Sequence, residues 1–271
     1  MKIYKVEEIL EKLIKCIAQG KSFSHIRLGD GGIKLIHAYL YNGYEQMEQI
    51  IQKEGLPRKG LDYILKLWIR YVNEADFIDT PDVYYNGEFW SRVKRKDKSI
   101  SKQTTEKLLD WKSLYNEIGF TNENYCNPES NYLMIINRPF NLISLMRGRK
   151  FCIITARHQL EEKLRKMEFD VDVIKIVGQY DYHYIKSFQT VVNEIEKNAK
   201  KYDFWLVAAG ELGRIYSGLI KECGGRSLDI GFVADFWDGK RLHPRLNPFL
   251  VGYDKLELML TGAGRKYAKY I

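Results

Sequence analysis

The turn "RLGDGG" places charge and backbone freedom directly after a short apolar stretch. Its glycines, Gly29, Gly31 and Gly32, allow positive φ angles and close approach of backbone N–H groups to a phosphate. Arg27 can pair with that phosphate, while Asp30 can hold a ribose hydroxyl or a divalent metal. The same residues would also form a tight turn in which the aspartate caps the next helix. The pattern therefore indicates either an anion-binding turn or a purely structural one.

A second candidate lies in "LVAAGELGRIYSGL", where a strand ends at Ala209 and Gly210 and a helix begins with Glu211. This arrangement brings backbone N–H groups to a crevice, and the small residues leave room for a ligand. Gly213 inside the helix costs about 1 kcal/mol relative to alanine, so close packing against a strand or a ligand would compensate. A structural strand-to-helix turn is the alternative.

The third candidate is "LDIGFVADFWDG", which sets Asp229 in an apolar strand and Asp235 just beyond it. A carboxylate buried there must find a hydrogen-bond donor or a metal. We rank Asp235, Glu211 and Asp229, in that order, as candidates for a catalytic base. For Asp229 the alternative is a carboxylate that caps the amides of a neighbouring loop.

Two further segments carry cationic side chains. "ITARHQL" ends a strand with Arg157 and His158, which suit an anionic diphosphate at a strand's carboxyl end. "INRPF" adds Arg138, fixed by the proline that follows, as a second phosphate contact. A structural histidine and a surface salt bridge are the respective alternatives.

The elements that must position these residues alternate regularly in the second half of the chain. The predicted strands are "KFCIITA", "VDVIKIV", "DFWLVAAG" and "RSLDIGFVADFW", and the predicted helices are "RHQLEEKLRKM", "YIKSFQTVVNEIEKNAKKY" and "ELGRIYSGLIKECGG". Earlier, the apolar spacing predicts helices over Lys5–Ala18 and Gly55–Val72, with the strand "SFSHIRL" between them. This order predicts an α/β fold with a mostly parallel, Rossmann-like sheet flanked by helices. Ligands in such sheets bind beyond the carboxyl ends of the strands.

Composition limits the remaining possibilities. The 271 residues are 45% hydrophobic, contain no internal repeat or linker, and predict a single domain over residues 1–271. No stretch approaches the ~20 apolar residues of a membrane span, and the first residues lack a signal peptide's apolar block. We therefore expect a cytoplasmic protein. The four cysteines are widely separated, so neither a zinc site nor a disulfide framework is predicted.

The charge of the chain favours anionic partners. Forty-three Lys and Arg against 35 Asp and Glu give +8, and much of the excess lies in "SRVKRKDKSISK" and in the final "GRKYAKYI". These stretches are either a solvated face or a dock for an anionic membrane or polyanion. Nucleic acid is not the expected partner, because the sequence lacks an RRM, KH, helix-turn-helix or zinc signature. A dehydrogenase is a still poorer match, because no G-x-G-x-x-G follows a strand with an acid about 20 residues further on.

Three segments, in order, carry a family resemblance: "SFSHIRLGDGG", "NRPF" and "AAGELGRIYSGLIKECGGRSLDIG". Together they resemble the bacterial GT-D fold glycosyltransferases, the group that includes the former DUF1792 domain. Members of that family carry an Arg-hydrophobic-Gly-Asp-Gly-Glu turn, a mid-chain Arg-Pro element, and a late Ala-Gly unit leading into an Asp-Ile-Gly strand. The resemblance runs from about Ser22 to Asp235 and implies a GT-D type fold.

The resemblance also implies an activity: transfer of a hexose, typically glucose, from a nucleotide diphosphate sugar, here expected to be UDP-linked. The implied acceptor is a glycan, a glycoprotein or a lipid-linked molecule, the last of which would place the protein at the inner membrane face. The two rivals are a catalytically degenerate nucleotide-sugar binder and a basic nucleic-acid-binding α/β protein.

The resemblance assigns Asp30 to the first acid of the family's Asp-x-Glu motif, which is associated with the nucleotide sugar and with Mn²⁺ or Mg²⁺. The second acid is replaced by Gly32. One carboxylate makes a thin metal site, so the sequence argues against metal dependence. Cationic side chains and helix N-termini would then neutralise the departing diphosphate.

Overall fold

The computed structural model describes residues 3–28, 40, 55, 61–79, 111–126, 142–178, 182–231 and 233–238. Its strands are β1 (Ile3–Tyr4), β2 (Phe23–Ile26), β3 (Phe77–Asp79), β4 (Tyr125–Cys126), β5 (Lys150–Thr155), β6 (Asp170–Lys175), β7 (Phe204–Ala208) and β8 (Arg226–Asp229). These described strands form one sheet in the order β1-β4-β3-β2-β8-β7-β5-β6, and every recorded pairing is parallel. The predicted parallel α/β sheet is confirmed.

Helices connect the strands and cover both faces of the sheet. They are α1 (Val6–Ala18), α2 (Leu61–Glu74), α3 (Trp111–Ile118), α4 (Leu142–Met146), α5 (Leu160–Lys166), α6 (Gln189–Asn198), α7 (Gly213–Glu222) and α8 (Val233–Trp237). A π-helical turn, Tyr184–Phe188, leads into α6, and a 3-10 turn, Gly210–Leu212, leads into α7. In the described part of the chain, every helix is too short or too polar to cross a bilayer.

The core consists of two apolar clusters, one on each face of the sheet. Along β5, Cys152 and Ile154 belong to the cluster under α2, α6 and α7, whereas Phe151 and Ile153 belong to the cluster under α1, α4, α5 and α8. Side chains of a strand alternate between faces, so a strand buried on both sides must be apolar throughout. This requirement explains why β5 was recognisable as a continuous apolar run.

The strand predicted over "RSLDIGFVADFW" is wrong in its second half. β8 ends at Asp229, because Gly231 adopts a φ of +48° that breaks the extended backbone. The chain then turns into α8, which buries Val233 and Trp237 on the same helical side. Asp229 is thus the last residue of a strand rather than its middle, and Asp235 lies on a helix.

All four cysteines are free thiols. Cys16, Cys126 and Cys152 are buried and Cys223 is partly buried, all without a disulfide. Helix α1 ends at Ala18 as predicted, and Gly20, the residue after the C-cap Gln19, takes a φ of +64°.

Helix α7 crosses α2 at Gly218, where a Cβ atom would overlap the ring carbons of Tyr71. We predict that Gly218→Ala destabilises the protein by about 1–3 kcal/mol, although alanine favours a helix, because overpacking moves the two helices apart. The measurement is the free energy of unfolding in urea. In a Tyr71→Ala background the same substitution should be neutral or stabilising, and an equal cost in both backgrounds would contradict the steric explanation.

Candidate functional site

A cavity of about 400 Å³ opens at the carboxyl ends of β2, β5, β6, β7 and β8, within the usual size range of small-ligand sites. Parallel strands present these ends at one edge, which is why separate turns converge here. Seven of the predicted site residues line it: Arg27, Arg157, Ala209, Gly210, Glu211, Asp229 and Asp235. Gly29, Asp30, Gly31, Gly32 and Arg138 lie outside the described residues.

His158 is the predicted residue that the structure does not bring to this cavity. Its Nε2 lies 3.2 Å from the carbonyl oxygen of Ile176, and its ring borders a shallow surface with Glu161 and Lys175. Although His158 follows Arg157 in sequence, the chain has already begun to turn away from the edge of the sheet at this point. The structural interpretation of this histidine fits its contacts.

Asp229 caps backbone amides, which is the structural alternative stated for it above. One carboxylate oxygen accepts a hydrogen bond from the amide of Gly231 at 3.1 Å, and the other accepts one from the amide of Arg27 at 3.4 Å. Asp229 is only 5% exposed, and this burial raises the pKa of its carboxyl group. The residue therefore joins the ends of β8 and β2 beneath the cavity.

Arg214, the second residue of α7, connects three elements at the cavity wall. Its Nε donates to the carbonyl oxygen of Arg27 at 2.7 Å, and a terminal nitrogen donates to that of Leu28 at 3.2 Å. The guanidinium also pairs with Glu211 and lies 4.8 Å from the ring centre of Trp68. Arg214 thus fixes the backbone that enters the "RLGDGG" turn.

Close packing behind this wall accounts for Gly213. A Cβ atom there would lie 3.3 Å from Val207 Cγ1 and 3.8 Å from an oxygen of Asp229. Gly213 is the first residue of α7 rather than an interior one, because the 3-10 turn Gly210–Leu212 precedes it, so the predicted cost of a glycine inside a helix does not apply. Its lack of a side chain allows close contact with strand β7.

Arg157 and Asp235 form an ion pair at the opposite wall, between the end of β5 and α8. Their side chains are 26% and 32% exposed, the most accessible of the cavity's arginine–carboxylate pairs. Breaking an exposed ion pair costs little free energy, because water screens both charges. This pair is the part of the cavity best able to rearrange for an anionic ligand.

A buried polar cluster that was not predicted from the sequence lies beside the cavity and consists of His25, Asp79 and Cys126. One oxygen of Asp79 lies 3.1 Å from His25 Nε2 and 3.0 Å from Cys126 Sγ, and the other lies 3.4 Å from Arg27 Nε. The carboxylate therefore holds the Arg27 side chain from below. Only "ADFID", a short apolar run interrupted by an acid, hinted at this role.

The donor atoms of this cluster lie within 4.8 Å of one another, and their N, O and S types could hold a metal ion such as zinc. Two features argue for a hydrogen-bonded network instead. The guanidinium of Arg27 places positive charge beside the carboxylate. A metal on His25 Nε2 would also move the ring proton to Nδ1, which has no hydrogen-bond partner among the described residues.

The divalent metal that the resemblance implies is a separate question. Among the described residues, the cavity's carboxylates are already committed: Asp229 to amides, Glu211 to Arg214 and Asp235 to Arg157. These three residues do not fit a Mn²⁺ or Mg²⁺ site in this arrangement.

His183 is a further residue of the site that was not predicted from the sequence. It lines the cavity, is 1% exposed, and its Nε2 lies 3.1 Å from the hydroxyl of Tyr216. Burial lowers its pKa to about 4. In the sequence it stands among aromatic residues in "GQYDYHYIKSF", where nothing distinguishes a cavity residue from a core one.

Replacing Arg214 by lysine keeps the charge but removes the planar fork that reaches two carbonyl oxygens and Glu211. We predict that Arg214→Lys lowers the free energy of unfolding by about 1–3 kcal/mol. Arg214→Met should cost about 3–5 kcal/mol, because it leaves Glu211 without its cation. Urea denaturation measures both, and a lysine variant as stable as the wild type would contradict the clamp.

The lowered pKa of His183 predicts a pH dependence of stability. Between pH 6.5 and about 4 the unfolded chain binds a proton that the folded protein excludes, so stability falls as the pH falls through this window. The loss amounts to about 3 kcal/mol. Asp229 has the opposite effect on stability. Burial raises the pKa of its carboxyl group, so its contribution to the free energy of unfolding is lost as the pH rises through the raised pKa.

The measurement is the free energy of unfolding from pH 4 to 7.5 for the wild type and for His183→Gln. Groups other than His183 contribute alike to both proteins. The difference between the two curves should therefore contain the slope assigned to His183, and parallel curves would contradict it.

Comparisons with known proteins agree with this architecture. A family model described as "GT-D fold-like domain" matches residues 4–237. A solved structure, described as "The highly conserved domain of unknown function 1792 has a distinct glycosyltransferase fold", matches with a TM-score of 0.50 and 15% identity over 86% of this chain and 79% of that one. At that identity the likeness shows the fold alone. No curated protein matches the sequence. Because the family match spans most of the chain, the protein belongs to the GT-D fold-like domain family.

Proposed function

We propose that the protein is a glycosyltransferase that moves a hexose, with glucose as the first candidate, from a UDP-linked or similar nucleotide sugar. The acceptor would be a glycan, a glycoprotein or a lipid-linked molecule. One observation carries the proposal: in a chain of this fold family, a cavity at the carboxyl ends of the strands brings together Arg27, Arg157 and three carboxylates.

Sugar transfer builds negative charge on the departing diphosphate, so the site must supply cations or amides. Arg27 and Arg157 are suited to this role, because guanidinium groups bind phosphate oxygens in a bidentate manner. Arg157 would leave Asp235 for the diphosphate, whereas Arg27 is held by Asp79 and would act from a fixed position. The phosphate contacts predicted for Gly29, Gly31, Gly32 and Arg138 belong to the same proposal.

An inverting transfer also needs a base for the acceptor hydroxyl. Asp235 is the best placed of the three acids, since the move of Arg157 to the diphosphate would release it. Glu211 is tied to the buried Arg214, and Asp229 to two amides. These contacts support the order in which the sequence ranks the three acids.

We propose that the transfer proceeds without a resident metal, with arginines neutralising the leaving group. Gly32 replaces one acid of the motif, and the described carboxylates of the cavity have other partners. Asp30 would then contact the donor itself. The free cysteines fit a reducing cytoplasm, and the basic stretch at residues 91–102 would suit an anionic inner membrane face.

The test is a thermal-shift panel of nucleoside diphosphates and nucleotide sugars, each with Mn²⁺, with Mg²⁺ and with EDTA. A ligand that binds the native state raises the melting temperature. We expect one nucleotide sugar to raise the melting temperature as much in EDTA as with Mn²⁺ or Mg²⁺. We also expect radiolabelled sugar from that donor to appear in an acceptor fraction. An absolute Mn²⁺ requirement would refute metal independence.

Two variants locate the site within this panel. Arg157→Ala should weaken binding about tenfold or more, because a charge-assisted contact to phosphate is lost. Arg165→Ala removes an arginine that pairs with Glu161 and Asp172 away from the cavity, and it should bind as the wild type does. Binding of a nucleotide sugar without sugar transfer would favour the catalytically degenerate binder. Equal losses of affinity in Arg157→Ala and Arg165→Ala would show that the donor does not bind in this cavity.

A further inference from the structure

We propose that His183 contacts the sugar of the bound donor, with its imidazole hydrogen-bonded to a sugar hydroxyl and held in place by Tyr216. The inference rests on the proposed function and assigns a residue that the family resemblance does not supply.

The position of His183 favours a ligand contact. Its side chain is 1% exposed and yet lines the cavity, so a ligand in the cavity would meet it where bulk water has little access. Gly178 and Ala209, from the ends of β6 and β7, line the same cavity. The histidine thus belongs to the wall on the α6 and α7 side of the sheet, whereas Arg157 and Asp235 belong to the side of α5 and α8.

Tyr216 fixes the ring of His183. The tyrosine is fully buried on α7, and its hydroxyl lies 3.1 Å from His183 Nε2. Its ring also stacks on Phe188 at 5.7 Å between centroids, with 28° between the planes. Because α7 packs against the sheet, the imidazole is positioned before any ligand arrives, which limits the entropy lost on binding.

The backbone around His183 is irregular on both sides. Tyr182 has a φ of +62°, a left-handed conformation that costs a non-glycine residue about 1–3 kcal/mol. The π-helical turn Tyr184–Phe188 follows at once, and such turns are frequent at functional sites. Within it, Ser187 Oγ accepts a hydrogen bond from the amide of Val177 at 3.2 Å, which ties the turn to the end of β6. A regular helix start would avoid this cost, so the irregular turn holds His183 in its position.

The protonation state of His183 identifies the ligand group. Because burial lowers its pKa to about 4, the imidazole is neutral near pH 7 and carries one N–H donor and one acceptor nitrogen, of which Nε2 faces the hydroxyl of Tyr216. A sugar hydroxyl can either donate or accept, so it suits the other edge of the ring in either tautomer, whereas a phosphate favours a cation. The cavity already provides Arg27 and Arg157 for phosphate. His183 is therefore matched to the sugar.

The experiment compares a nucleotide sugar with its own diphosphate. UDP-glucose and UDP, or the corresponding pair that the panel selects, are titrated by calorimetry against the wild type, His183→Asn, His183→Gln and Tyr216→Phe. We expect the two histidine variants to bind the nucleotide sugar about 3- to 10-fold more weakly, the loss of one hydrogen bond, with UDP affinity unchanged. Tyr216→Phe should lose part of the same preference, because it frees the ring without removing it.

The outcomes separate this inference from the proposed function. Unchanged affinities in both histidine variants, or an equal loss for UDP and UDP-glucose, would overturn the sugar contact while leaving the donor site intact. If the wild type binds no member of the panel, the proposed function fails first. Melting temperatures without ligand show whether each variant folds, and if His183→Asn does not, His183→Gln and Tyr216→Phe decide the matter.

Discussion

The candidate site depends on the hydrogen bonds and the ion pair that the buried guanidinium of Arg214 forms. A charge removed from water is tolerated only when its donors are satisfied, and this one is satisfied by two carbonyl oxygens after β2, by Glu211 and by the face of Trp68. Those partners belong to different elements that meet only in the folded chain. The requirement to bury one charge well thus fixes the exit of β2, the turn after β7 and the start of α7 in relation to one another.

The cavity's other arginines follow the same rule to different degrees. Arg27 is 15% exposed and is paired with the buried Asp79, so its guanidinium has little freedom. Arg157 and Asp235 are accessible enough that water can replace either partner. The cavity wall therefore combines a fixed cation, Arg27, with an exchangeable one, Arg157. For an anionic ligand the first provides a preformed contact and the second provides adaptation.

The sequence predicted the sheet better than the site. Central strands such as β5 must be apolar on both faces, and that requirement leaves a continuous run that can be read directly. Residues at strand ends, including Arg27, Arg157 and Asp229, could be expected at one edge because parallel strands end together. Asp79 and His183 could not be selected, because their roles arise from contacts with Arg27 and Tyr216 that lie far away in sequence. His158 shows the opposite case. It follows the cavity residue Arg157 in sequence, but its side chain contacts the carbonyl oxygen of Ile176 and does not line the cavity.

Gly231, a residue with no side chain, also determines the position of Arg27. It ends β8 with a φ of +48°, and a Cβ atom there would collide with a terminal nitrogen of Arg27. Two independent requirements, one of backbone conformation and one of space, thus meet at the same position. The position of the Arg27 guanidinium in the cavity thus depends on the space left by Gly231, just beyond the end of β8. A side chain at this position would move the positive charge of the cavity without replacing a charged residue.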